Sequence, residues 1–508
     1  MKRLILTLLT ALIPLAAAEK PRAILLFYVD DLGYNDTSFT GCTEVPCPNL
    51  NRLAEEGLTF TDAHSTASVC TPSRYSLFTG QYAWRRKGTN ILPGDAKLIL
   101  PIKGEELTLP AMMQRAGYRT AAIGKWHLGL GRGKEPINWN QPIVPGPREV
   151  GFDFSFIMAA TGDRVPCVFV RDGQVDGLDP TDPIFVSYVP GTHYPGEFLG
   201  HDHPEMLKPW GRSADRQHDK TIVDGISRIG YMTGGKTARW KDQEIADRLT
   251  EEAIGFISRS AGHPLFIYFG TNDIHVPRDP HPRFRGKSKL GIRGDATVQM
   301  DDCLGRLRQA LADSGYKPEE TLIIFSSDNG PAIGDGYLDG AVEACRHHRP
   351  AAPYRGGKYT ALEGGTRIPF IVCWPGRVTP GQSTALMCQV DLGRTLAELV
   401  GQDIPAGSMP DGENHLSALL GDTQTARREL VEQSLSSGLA LRVGQYKYIS
   451  RPVEQLYDLS VDPEEKHNLA PQNPERTEQM RKRLLELKNN RFSRQRDTVS
   501  FYRNRIQR

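Results

Sequence analysis

Four short polar clusters in this chain each follow an apolar run. Asp30-Asp31-Leu32-Gly33 follows Ala23–Val29, and Gly124-Lys125-Trp126-His127 follows Thr120–Ile123. Asn272-Asp273-Ile274-His275 comes after Pro264–Phe269, and Asp328-Asn329-Gly330 after Thr321–Phe325 and two serines. Asp30, Asp31, Asp328 and Asn329 offer carboxylate and amide oxygens without sulfur or imidazole, a donor set that suits calcium or magnesium. A single Asp-Asp-x-Gly reads as a turn; two acidic clusters, each ending an apolar run, favour a cation site. Arg74, Lys125, Lys358, His127 and His275 would add basic groups around it. A divalent cation with several bases exceeds what a neutral substrate needs. It suits a tetrahedral oxyanion and charge growing on a leaving oxygen. Sulfate and phosphate esters both qualify.

These clusters can act together only if the fold gathers them. Apolar strand-like runs alternate with helical patterns (Asn49–Glu56, Leu109–Ala116, Lys241–Ser258, Thr297–Asp313), the signature of an α/β fold with a large, mostly parallel sheet sandwiched by helices. Ligands of open α/β sheets bind beyond the carboxyl ends of the strands, where all four clusters would converge. Another apolar run, Pro369–Cys373, reads as a fifth strand. In "SVCTPSRYSLFTG", Cys70 sits at an expected helix start, with Thr71 placed to cap and Pro72 in the first turn. Gly, Pro, Asp and His are dense from Pro136 to Lys236, which predicts long loops with little regular structure. After about residue 400, "LALRVGQYKYIS" and "EQLYDLSVDPEEKHNL" predict two antiparallel strands and a turn, then a helix from about Pro474. The expected division is a leader over 1–18, a catalytic α/β domain over 19–400 and a smaller α+β subdomain with an antiparallel sheet and a basic helical tail over 401–508.

The 508 residues carry a net charge of +2, which argues against a polyanion-binding protein and against a nucleic-acid partner. The basic end (Arg481, Lys482, Arg483, Lys488, Arg491 and onward) reads as a solvated helical tail. Lys2 and Arg3, an apolar stretch from Leu4 to Leu15 and Ala16-Ala17-Ala18 form an export signal cleaved after Ala18. That run is too short to span a membrane, so the expectation is an exported protein, periplasmic or secreted, without membrane insertion. Eight cysteines are too few for a disulfide scaffold in this length. Cys42 and Cys47 are placed to close a small loop; buried free thiols are expected for most of the others.

The motifs together resemble the formylglycine-dependent sulfatases, the arylsulfatase-like branch of the alkaline phosphatase superfamily. Cys70–Gly80 matches the pattern C-x-P-S-R-x-x-L-x-T-G, and "GYRTAAIGKWHLG" is similar to the family's second signature. "DDLG", "NDIH", "SSDNG" and "GGKYTALEGGTRIPFIVCWPG" follow in the family's order over nearly the whole chain. The resemblance implies that a maturation enzyme, formylglycine-generating or anaerobic, oxidises Cys70 to formylglycine, an aldehyde that hydrates to a diol. It implies calcium, with magnesium as the alternative, at Asp30, Asp31, Asp328 and Asn329, with the modified Cys70 completing the shell. Arg74 would hold the diol, Lys125 and Lys358 the sulfate oxygens, His275 would protonate the leaving alcohol, and His127 would take the remaining hydroxyl proton.

The implied activity is sulfate monoester hydrolysis, with exo-desulfation of sulfated sugars from mucin, glycosaminoglycan or algal polysaccharide foremost. Asp163, Arg164, the stretch His193–His203, Asp335, Arg346, His347, His348 and Arg349 are candidates for sugar contact, since hydroxyls need paired donors and acceptors. Two other readings stay open: a phosphodiester or phosphonate-ester hydrolase of the same superfamily, and a non-catalytic glycan-binding homologue.

Overall fold

The computed structural model describes residues 20–435 and 438–489. The expected export signal and the basic residues from Arg491 onward lie outside them. Ala23–Val29 (β1) is fully buried along its length, as expected of a strand covered on both faces. It pairs in parallel with Leu265–Gly270 (β4) on one side and Thr321–Ser327 (β5) on the other. Arg119–Lys125 (β2) continues the parallel set beside β4, and Phe154–Met158 (β3) lies beyond it. Phe370–Cys373 (β6) runs antiparallel against β5, and short edge strands extend the sheet to ten. Phe27 faces both Phe269 and Phe325 across the register, with the Phe325 ring stacked at 5.7 Å. Every strand predicted for this sheet is present.

Helix Cys70–Thr79 (α1) is buried throughout. Its start differs from expectation. The extended Val69 occupies the cap without a side-chain hydrogen bond, and the Thr71 hydroxyl instead donates to the His127 carbonyl at 3.1 Å. Thr71 is thus used to tie the helix to the β2 loop rather than to cap it. Helix Ile245–Arg259 (α2) follows a 3₁₀ turn where a single longer helix was expected, and Gly291–Asp313 (α3) begins six residues earlier than expected.

The loop-rich region holds more order than its composition suggested: β3 sits there, with two edge strands and several two- to three-residue ladders. The C-terminal part carries four antiparallel strands rather than two: Glu429–Gln433 (β7), Leu439–Val443 (β8), Tyr446–Ile449 (β9) and Gln455–Asp458 (β10). Helix Pro474–Asn489 (α4) starts where expected. Gln433 of β7 brackets the approach to Cys70: its N–H donates to the Thr66 carbonyl and its carbonyl accepts from Ser68. Cys42 and Cys47 are separate buried thiols, so the small disulfide loop is not formed. Among the described residues no helix is long and apolar enough to cross a membrane.

Candidate active site

The tips of β1, β2, β4 and β5 meet at one edge of the sheet. Backbone bonds fix their offsets: Asp328 N–H donates to Val29 at 3.0 Å, and Ile274 N–H to Asp30 at 3.0 Å. Gly124 turns with φ +99° against Gly270, where a Cβ would lie 1.8 Å from the Gly270 carbonyl. Only glycine lets these two strands approach and deliver Lys125 inward.

Arg74, from the first turn of α1, is wholly buried. Its Nε donates to Asp328 Oδ2 at 2.9 Å, and Nη1 to the Lys125 carbonyl at 3.1 Å and to the Tyr268 hydroxyl. Lys125 Nζ donates to Asp30 Oδ2 and lies 3.7 Å from Asp328. Lys358 Nζ bridges Asp31 at 2.8 Å and Asp335 at 2.9 Å, and the Tyr359 hydroxyl also donates to Asp335. Asn329 Nδ2 donates to Asp31 Oδ1 at 2.7 Å. His275 Nε2 stands 3.8 Å from Asp31 Oδ2.

Four carboxylates (Asp30, Asp31, Asp328, Asp335) thus face three permanent cations (Arg74, Lys125, Lys358), leaving the cluster one positive charge short. The deficit shows locally. Asp30 Oδ1 and Asn329 Oδ1 are buried oxygens without a hydrogen-bond partner. Burial pushes the Asp30 carboxyl well above its usual range, against the pull of Lys125. Ligand atoms of Asp30, Asp31, Cys70 and His275 lie within 4.8 Å of one another. Unsatisfied oxygens in a net-negative pocket fit a hard divalent cation. With a dication the cluster would hold one excess positive charge, the complement of a singly charged sulfate monoester.

Cys70, at the amino end of α1, is held as a protonated thiol: burial raises its pKa to about 11, although Lys125 and Lys358 pull it down. The histidines are fixed as particular tautomers. His127, at φ +56°, donates from Nε2 to the Leu92 carbonyl at 2.9 Å, which leaves a buried, unpartnered Nδ1. Burial, then Lys125 and Arg164, depress its pKa, so Nδ1 is a bare lone pair. His275 donates from Nδ1 to the Val276 carbonyl at 2.6 Å, leaving Nε2 to face the centre.

Of the sugar-contact candidates, Asp163, Arg164 and Asp335 adjoin this centre. Arg164 Nη1 shares the Leu92 carbonyl with His127 at 3.0 Å, and its Nη2 donates to Asp163 Oδ2 at 2.8 Å. Arg346 and His347 instead stand exposed on the turn after residues 341–344 and make no side-chain hydrogen bond or ion pair among the described residues, while their neighbour His348 turns inward. His193 and His201 are exposed as well. Sequence reading missed Tyr28, Tyr268, Gln389 and His218. Tyr28 packs its ring against the Arg74 guanidinium at 5.3 Å and shares Ser73 with Gln389. His218 closes on Asp163 at 3.5 Å. The tyrosines read as core strand residues, and nothing in the sequence marks Gln389 or His218.

Residues 22–402 match the family model described as Sulfatase, and residues 357–490 match N-sulphoglucosamine sulphohydrolase, C-terminal. The chain is 46% identical over 476 residues to N-acetylgalactosamine-6-O-sulfatase of Bacteroides thetaiotaomicron, covering 90% of this chain and 91% of that one. It is 30% identical to arylsulfatase A of Bos taurus, over 91% of this chain and 86% of that protein. A solved Bacteroides thetaiotaomicron structure, described under metabolism of multiple glycosaminoglycans, superposes with a TM-score of 0.88 at 45% identity, over 92% of this chain and 99% of that one.

Proposed function

We propose that this chain, which belongs to the sulfatase family and is a sulfuric ester hydrolase, removes sulfate from sugar units of glycans. The substrate class we infer is a hexosamine or galactose unit sulfated on its primary hydroxyl, supported by the 46% identity to an N-acetylgalactosamine-6-O-sulfatase. The observation that carries the reaction is the one-charge deficit around Asp30, Asp31 and Asn329, with unpartnered oxygens on Asp30 and Asn329, beside Cys70. Calcium held by Asp30, Asp31, Asp328 and Asn329 would polarise the sulfate oxygens. Maturation of Cys70 to formylglycine, by a dedicated enzyme, would supply a hydrated aldehyde with one hydroxyl to attack sulfur and a second to release sulfate.

The chain's own groups have definable tasks. Arg74, locked between Asp328, Tyr268 and the Lys125 carbonyl, holds the head of α1 and the diol in place. Lys125 and Lys358 are set to exchange part of their hold on Asp30 and Asp31 for sulfate oxygens. His275, with its Nδ1–H fixed on the Val276 carbonyl, presents Nε2 to the departing sugar oxygen. Burial, then Lys358 and Lys125, hold its pKa well below the usual range in the free site, and the negative charge of a bound sulfate ester would favour the imidazolium that donates from Nε2. A sugar alkoxide is a poor leaving group, so that proton matters. His127, with Nε2–H fixed on Leu92, accepts at Nδ1 the hydroxyl proton lost when sulfate leaves. Asp163, Arg164 and Asp335 are the sugar contacts we retain.

Export to the periplasm or beyond, and the division at residues 18 and 400, belong to the same proposal. Mass spectrometry of the Cys70 peptide from the native host tests the nucleophile. Aldehyde is expected; an unmodified thiol overturns it. Release of sulfate from 6-sulfated N-acetylgalactosamine, against its 4-sulfated isomer, tests the substrate, and preference for the 4-sulfate would reject the assignment.

A further inference from the structure

Away from the sulfate centre, Cys42, Glu44 and His348 meet from opposite halves of the chain. The Cys42 sulfur, a Glu44 carboxylate oxygen and a His348 ring nitrogen lie within 4.8 Å of one another. Cys42 and His348 are buried, and the Glu44 side chain is 40% exposed. We propose that these three side chains form a second metal site, for a borderline divalent cation of the zinc class, with one coordination position open to water.

The donor set is the first argument. One sulfur, one imidazole and one carboxylate select a zinc-like ion, whereas the catalytic cluster offers oxygens for a hard one. The orientation of His348 is the second. Its Nε2 donates to Asp36 Oδ1 at 2.8 Å, and Asp36 is itself gripped by both terminal nitrogens of Arg293 at 2.6 Å each. That chain fixes the tautomer with the proton on Nε2 and leaves the Nδ1 lone pair turned toward Glu44. A carboxylate behind a ligating histidine is the usual outer support of a metal. The spacing is the third. Nδ1 and Glu44 Oε2 are 3.8 Å apart, too far for a hydrogen bond. Adjacent ligands of a tetrahedral zinc, at bonds of about 2.1 Å, sit about 3.4 Å apart, a few tenths closer.

Burial raises the Cys42 thiol, and the backbone amides of Glu44 and Val45, which hydrogen-bond to its sulfur, oppose this only in part. Arg293 already matches Asp36, so Glu44 carries the unmatched negative charge beside the sulfur, which a dication would meet. Among the described residues, Glu44 has His348 as its one ion-pair partner.

The site would act as a clip behind the catalytic loop. Asp36 accepts the Gly33 N–H at 2.7 Å, two residues past Asp31. The His348 turn leads to Pro350, whose carbonyl accepts the Asn35 N–H at 2.7 Å and would lie 2.3 Å from a Cβ at Gly33. A metal joining Cys42 to His348 would hold both walls of that pocket.

Cobalt(II) titration of the full chain tests this, because thiolate ligation gives cobalt an intense near-ultraviolet charge-transfer band that oxygen ligation does not. The protein is stripped with chelator, carries Cys70→Ser to remove the thiol in the catalytic cluster, and is titrated with calcium in excess. One cobalt per chain with that band is expected, together with a rise in Tm. Cys42→Ala should abolish the band, Cys47→Ala should keep it, and the half-exposed Glu44→Gln should weaken cobalt binding at least tenfold. Absence of the band in natively folded protein overturns the site, as does a band that survives Cys42→Ala. If His348 merely links Asp36 to Glu44 as an ion pair, no band forms and Glu44→Gln leaves cobalt binding unchanged. None of these readouts depends on the sulfatase reaction.

Discussion

At the tips of β1 and β5, Asp30, Asp31, Asp328 and Asp335 face Arg74, Lys125 and Lys358. Beneath the antiparallel sheet, an equally buried cluster sets Asp62, Glu363, Glu432 and Glu465 against Arg367, Arg442, Lys447 and His64. In the second cluster every cation pairs with at least one acid, and all but Arg442 with two or more. Arg442 and Arg367 both hold Asp62, at 2.6 and 2.8 Å, and Arg367 also holds Glu363 at 2.6 Å. Lys447 reaches Glu363, Glu432 and Glu465 at 2.8, 3.2 and 3.5 Å. Burial alone would lower the His64 pKa, yet Glu363, Asp62 and Glu432 raise it, so its charge makes the count even. Asp62, His64 and Glu363 satisfy the spacing of a metal site, but protein cations already occupy it. What separates the candidate catalytic cluster from the other is therefore charge balance. The first lacks one positive charge; in the second the charges even out, and its two oxygens without a hydrogen bond, Glu432 Oε2 and Glu465 Oε1, still lie 3.2 and 3.5 Å from Lys447.

Removing the nucleophile should break that contrast most sharply. Cys70→Ala is expected to lower kcat by about 10⁴-fold or more, with Tm nearly unchanged. More than a tenth of the activity surviving would move the nucleophile elsewhere. Next in size is His275→Ala. Loss of a general acid costs about 10²- to 10⁴-fold on a sugar sulfate, whereas an activated aryl sulfate, whose phenolate leaves unaided, should lose less than about tenfold. Equal losses on both would reject the role of Nε2.

Lys447→Met probes the other cluster. Three buried carboxylates would lose their common partner, at a cost of about 3–5 kcal/mol in stability, read from denaturant melts. The kcat of the folded fraction should stay within about threefold, a span of roughly 0.7 kcal/mol. A selective fall in kcat without loss of stability would erase the distinction between the two clusters.

The catalytic cluster was legible because chemistry concentrates at strand ends. Asp30-Asp31, Lys125 and Asp328-Asn329 each directly follow an apolar run that could only be a buried strand, so the positions of the strands placed the residues. Arg74 was found through its spacing from Cys70. The balanced cluster was not legible. Glu432, Lys447 and Glu465 sit at unremarkable positions in β7, β9 and a turn, Glu363 carries no chemical signal of its own within its motif, and only the packing of the antiparallel sheet on the region before Cys70 brings them together. Thr71 was misjudged for a related reason: its local signal favoured a cap, but the His127 carbonyl 3.1 Å away won the hydroxyl. Arg346 and His347 are sugar-contact candidates by composition alone, and a turn that points His348 inward leaves them outside.

The smallest effect sharpens the comparison by pH. Glu465 is the weakest-held acid of the balanced cluster: burial raises its carboxyl to about 7, the nearby Glu363 adding to this and Lys447 opposing it. An unfolded glutamate titrates near 4.5. Between these values the folded chain binds a proton that the unfolded chain has released, so stability is full below the lower value and falls as pH rises through the upper one. A shift of this size is worth on the order of 1–3 kcal/mol after allowance for coupling within the cluster. Glu465→Gln keeps the shape of the protonated acid and removes the titration. Its stability relative to the unmodified chain should therefore be more favourable at pH 8 than at pH 5, by up to that amount. Parallel melting curves at the two pH values, with the same difference at both, would show that Lys447 holds Glu465 as firmly as it holds Glu363, and that the balanced cluster has no weak member.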